Sequence, residues 1–186
     1  MKKLFIGFFC IFICSFVFSE SMDGFWGIKF GDSKEKVKQV MNEKKCIVIK
    51  EEGDFIIFTG VFTEQNVKIN FTFFKNQFYT VSVQYPHDKN MAISKWQENM
   101  SLLEQKYGEP DKKIRKFISP YMDGDGFEEQ AILNNKGILV GQWNFDGGDT
   151  ISCFIYNDLD TYIMYSDAQI NELHNIFIQQ NKMNDL

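Results

Sequence analysis

Histidine is nearly absent from this 186-residue chain, which has two, His87 and His174. Neither has a second histidine or a CxxC pair at metal-ligand spacing, so no zinc site is recognisable. No GxSxG surrounds a serine and no glycine-rich phosphate loop leads into a helix, which removes the nucleophile elbow and the P-loop. Carboxylates are plentiful, but spacing alone does not pair two of them across a cleft, as glycan hydrolysis requires. The sequence therefore predicts no enzyme, with no catalytic, cofactor-binding or metal-ligating residue.

Long apolar runs are also scarce. The one present, Leu4 to Phe18, is broken by Gly7 and Ser15 and is too short for a comfortable membrane span. Lys2 and Lys3 precede it and Val17-Phe18-Ser19 follows, the order of a secretory signal peptide. Residues 1–19 are read as that signal, cleaved after Ser19, and the protein as exported to the periplasm or beyond. Cys10 and Cys14 follow the large residues Phe9 and Ile13, whereas lipidated cysteines follow small ones, so no lipid is expected. After cleavage no stable membrane insertion is expected.

Residues 20–186 suffice for one domain with a substantial core, and no linker or repeat divides them. The signal takes two of 20 basic residues and none of 25 acidic ones, leaving 18 against 25 and a charge of −7. Such a surface repels nucleic acid. Two cysteines remain, Cys46 and Cys153. An even count in an exported chain permits a disulfide; two buried thiols beside apolar strand residues fit equally well.

What the chain has in abundance is aromatic residues, with 20 Phe. Phe25 to Gly31 opens the domain, and Asp32 with Glu35 reads as a capping box for a short helix carrying Val37, Val40 and Met41. Strands follow at Cys46–Lys50, Phe55–Thr59, Val67–Phe74 and Phe78–Tyr85. A helix from Asn90 to Tyr107 carries the stripe Ala92, Trp96, Met100, Leu103 and Tyr107, with Gly108 and Pro110 ending it. Further strands are read at Gln130–Leu133, Ile138–Phe145, Thr150–Tyr156 and Tyr162–Tyr165. Ser166 and Gln169 then cap a last helix with Ile170, Leu173 and Phe177 inward. The expected fold is α+β: a single, mostly antiparallel meander sheet with helices packed on one face.

Two local features invite function. The loop Asp123-Gly124-Asp125-Gly126 carries alternating carboxylates of the kind calcium prefers, without EF-hand spacing; a solvated acidic turn is the favoured reading. In the hairpin Val67–Phe74/Phe78–Tyr85, a three-residue loop, Lys75 to Gln77, sets Phe73 opposite Tyr79, Phe71 opposite Val81 and Phe74 opposite Phe78. A two-residue loop is disfavoured because it would shift the register by one. Phe74 and Phe78 then form an aromatic pair on an otherwise polar face, a candidate partner-binding patch unless a later element covers them.

The segment Trp26-Gly27-Ile28-Lys29-Phe30-Gly31-Asp32-Ser33 and the helix end Lys106-Tyr107-Gly108-Glu109-Pro110 resemble a group of uncharacterised bacterial exported α+β domains. In that group a G-I-x-F-G-x-S segment precedes a short helix and a meander, and a K-Y-G-x-P motif ends the next helix. More distantly, the opening segment is similar to SmpA/OmlA and β-lactamase-inhibitor-like domains, which implies binding of another protein. These motifs are structural and transfer no functional residue. The expectation is a non-enzymatic binding or assembly module of the periplasm or cell envelope, with another envelope protein as partner. The alternatives are a carrier of a small apolar ligand between sheet and helix, or a carboxylate-type hydrolase.

Overall fold

The computed structural model describes residues 22–87 and 90–184. Residues 1–19, expected to be an export signal and including Cys10 and Cys14, lie outside the described residues. In chain order the elements are β1 (Gly24–Phe25), β2 (Ile28–Lys29), α1 (Lys34–Glu43), β3 (Ile47–Glu52), β4 (Phe55–Phe62), β5 (Gln65–Phe74) and β6 (Gln77–Tyr85). There follow α2 (Ala92–Tyr107), β7 (Lys112–Phe117), α3 (Glu128–Leu133), β8 (Gly137–Asn144), β9 (Thr150–Ile155), β10 (Thr161–Ser166) and α4 (Ala168–Asn184). The fold is α+β, as expected. Eight strands form one open antiparallel sheet in the order β3-β4-β5-β6-β10-β9-β8-β7, and β1 and β2 form a separate ribbon. No helix of the described residues is long and apolar enough to cross a membrane.

The alternation of β5 and β6 decides the core. Val67, Ile69, Phe71 and Phe73 of one strand, with Val81, Val83 and Tyr85 of the next, are buried on one face. Helices α1 and α2 cover that face through Val37, Met41, Trp96, Met100 and Leu103. Trp96 donates its indole N–H to the Cys153 carbonyl at 3.2 Å, and Trp143 donates to Gly108 O at 2.8 Å, so both large rings are buried with their polar atoms paired. The Met100 side-chain tip fills the space beside Gly141, so a larger residue there would have to displace it. Phe25 of the small ribbon packs on Phe62, Phe71 and Tyr165, ring centroids 5.1–6.0 Å apart.

Helix α4 is the exception to the one-faced arrangement. Residues 73 and 74 point to opposite sides of β5. Phe73 joins the core, while Phe74 packs against His174 and Phe177 of α4, so α4 crosses the reverse face.

Several local expectations are corrected. Ser33, not Asp32, caps α1, its Oγ accepting from Lys36 N; Asp32 instead accepts from Lys29 N. Asp167, not Ser166, caps α4 by accepting from Ile170 N at 2.6 Å, because Ser166 is the last residue of β10. Leu173 is not inward but 56% exposed. The apolar run at 130–133 is the end of α3, not a strand. Four apolar-rich residues fit either state, and Glu128 and Glu129 form the acidic first turn that favours a helix. The chain between Pro110 and Ser119 contains β7, unread in the sequence because Lys-Lys-Ile-Arg-Lys-Phe has almost no apolar alternation.

Candidate functional site

The hairpin that carries Phe74 and Phe78 has a two-residue loop, Lys75 and Asn76, with φ of 50° and 64°. Both residues lie in the left-handed region, as the tight hairpin turn requires. The loop and the expected register coexist because β6 carries a bulge. Phe71 faces Val81 and Thr72 faces Thr80, yet Phe73 faces Phe78 and Phe74 faces Gln77. Tyr79 is the extra residue. The expected pairs Phe73/Tyr79 and Phe74/Phe78 are therefore not formed. Phe78 points into the core against Phe30 and Phe71, and Phe74 lies under α4. Both are buried, at 0% and 6% exposure, so they form no exposed patch.

The bulge turns Tyr79 onto the reverse face, where its hydroxyl meets His174 Nδ1 at 3.0 Å. Burial raises the Tyr79 phenol above its ordinary pKa, and the nearby Asp54 charge adds to this. His174, an isolated polar position in the sequence, is thus a packing residue that locks α4 to the sheet.

Cys46 and Cys153 are both free and buried. Cys46 precedes β3 at one edge of the sheet and Cys153 lies in β9, with β4, β5, β6 and β10 between. Adjacent strands lie about 4.8 Å apart, far too wide a span for one bridge. Burial pushes both thiols above their ordinary pKa, Cys153 the more strongly.

In the acidic loop, the carboxylates are already engaged. Asp123 Oδ1 accepts from Arg115 at 2.6 Å, Asp125 accepts from the backbone of Met122 and Phe127, and Glu128 from Gly124 N. The hydrogen bond from Arg115 holds the Asp123 carboxyl below its ordinary pKa. The loop is a self-closed turn, and no group of three or more candidate metal ligands occurs among the described residues.

His87 has a partner that sequence separation concealed. Asp160, 73 residues away, accepts from His87 Nδ1 at 2.8 Å, from His87 N at 2.9 Å and from Gln84 Nε2. Burial raises the Asp160 carboxyl, but the hydrogen bonds from His87 and Gln84 outweigh it and the net shift is downward. His87 borders a cleft of about 570 Å³ that also touches Ile93, Phe127, Glu129 and Leu133. Glu129 is occupied there in capping Ala92 N at 2.8 Å. The three hydrogen bonds that Asp160 accepts pin the end of β6 to the turn before β10, which is a structural task.

The remaining feature is the β3 edge. Its outer side has no neighbouring strand among the described residues, and all six of its residues are exposed. Ile47, Val48 and Ile49 are exposed by 66%, 43% and 50%. A bulge between Val48 and Lys50 places Ile49 beside Lys50 and Ile57 in a shallow groove on the reverse face. In the sequence, Ile47-Val48-Ile49 reads simply as part of the strand Cys46–Lys50. The available signal was the lack of alternation: three consecutive apolar residues followed by Lys-Glu-Glu do not describe a half-buried strand. Compared with known proteins, the chain matches no family model, and no curated protein or solved structure is significantly similar to it.

Proposed function

We propose that this protein is an exported, non-enzymatic binding or assembly module of the cell envelope, and that the β3 edge is its docking element. One observation carries this reading. Among the described residues, β3 ends the sheet with an unpaired edge flanked by three exposed β-branched residues, Ile47, Val48 and Ile49. An open edge of this kind offers main-chain hydrogen bonds and apolar contact together, which is how strand addition recruits an extended partner segment. The apolar-carrier alternative finds less support, because the space between sheet and α2 is filled by Trp96, Met100, Leu103 and the aromatic residues of β5 and β6.

The test is capture of envelope protein by the wild type and by Val48→Pro. Proline at position 48 removes a backbone N–H from β3 and disfavours strand pairing there. Loss of the captured partner with an unchanged circular dichroism spectrum is the expected result. Equal capture by both proteins would reject β3 as the docking element.

A further inference from the structure

The two edges of the large sheet are built differently. β7 exposes Lys112, Lys113, Arg115 and Lys116, a row of like charge that repels a second edge. β3 instead exposes Ile47, Val48 and Ile49, followed by Lys50, Glu51 and Glu52. We infer that β3 pairs antiparallel with β3 of a second copy, about a two-fold axis through Val48, joining two eight-stranded sheets into one. This rests on the binding-module reading and names its partner.

The axis position follows from ladder geometry and charge. In an antiparallel ladder, hydrogen-bonded and non-hydrogen-bonded pairs alternate, so a two-fold axis passes through a residue that faces its own copy. With Ile47 on the axis, Lys44 meets Lys50 and Ile49 meets Lys45. With Ile49 there, Ile47 meets Glu51 and Val48 meets Lys50. Lys50 on the axis sets like charges together. With Val48 on the axis, Val48 faces Val48 and Ile47 faces Ile49, and past the Ile49 bulge the acidic end Glu51-Glu52 lies against the basic turn Lys44-Lys45 of the other copy. Apolar residues meet apolar residues, and the acidic end of one strand meets the basic end of the other. The segment Lys44-Lys45-Cys46-Ile47-Val48-Ile49-Lys50-Glu51-Glu52 is therefore complementary to its own reverse.

Faces agree as well. Ile47 pairs with Thr59 on the reverse side of β4, and Ile49 lies with Ile57 on that same side, so the two meet across the axis. Lys44 and Lys45 precede the strand, Lys45 at φ 61°, and contribute through side-chain reach. The present partners of these charges are exposed or half-buried: Lys50 for Glu52, Lys38 for Glu51 and the half-buried Trp26 ring for Lys44. Exchanging such partners costs little.

The test combines mass with a positional cross-link. The purified protein should double its light-scattering mass at tens of micromolar, and Val48→Lys, which places two like charges on the axis at a surface position, should remain a monomer with an unchanged far-ultraviolet spectrum. In a Cys46→Ser background, Val48→Cys should oxidise to a covalent dimer at least tenfold faster than Glu52→Cys, which does not face its own copy. A wild type that stays monomeric over this range, or equal cross-linking at 48 and 52, overturns the self-pairing. The binding-module reading fails on a different result, namely that Val48→Pro captures envelope protein as well as the wild type does.

Discussion

Phe73 faces Phe78 across the β5–β6 hairpin, one residue short of the register that holds farther along, where Thr72 faces Thr80. The slip is absorbed by Tyr79, and it sorts three aromatic residues to two sides of the sheet. Phe78 goes to the core, Phe74 and Tyr79 to α4. Truncating them should therefore read out differently. Phe78→Ala should cost about 3–5 kcal/mol in denaturant unfolding, the usual range for a fully buried phenylalanine. A loss below 1 kcal/mol would contradict the core placement.

The link between Tyr79 and His174 predicts a local effect. Tyr79→Phe removes one hydroxyl contact and should cost about 1 kcal/mol, concentrated in α4. Amide exchange in Ala168–Ile178 should quicken while the β9 and β10 amides stay protected. Uniform quickening across the sheet would show that α4 does not open on its own.

The cysteines make a redox prediction. Cys46 and Cys153 are free and buried, at 7% and 0% exposure. Both thiols should resist alkylation in the native protein and react in denaturant, and reductant should leave the melting temperature unchanged. A bridge across their sequence separation of 107 would instead contribute about 4–5 kcal/mol through the unfolded chain, and reduction would reveal it.

Stability should fall at both ends of the pH range, for opposite reasons. The Asp160 carboxyl is depressed in the folded protein, so its contribution is present above the ordinary value near 4 and is lost as pH falls through the folded value. The melting-temperature gap between wild type and Asp160→Asn should narrow below about pH 4. Burial raises Cys153, and raises Tyr85 to about 12. For these groups stability is present below the unfolded values, about 8.5 and 10, and is lost as pH rises above them. A melting temperature flat from pH 8 to 11 would contradict this.

Much of the architecture is legible in the sequence because it depends on local pattern. The alternation in 67–73 and 81–85 encodes an antiparallel hairpin with one buried face. The spacing of Ala92, Trp96, Met100 and Leu103 encodes the helix laid on it, and Gly108 its end. What local pattern does not carry is the identity of neighbours distant along the chain. The bulge at Tyr79 pays off only once α4 is there to receive the side chain, and the His87–Asp160 pair exists because β10 lies beside β6. The exposure of Ile47-Val48-Ile49 likewise depends on strand order: the same residues in a central strand would be buried, and at the end of the sheet they are not. Periodicity is a property of the chain and fixed the elements, whereas edge, cover and long-range pairing are properties of the assembled sheet, and the tertiary structure alone decided them.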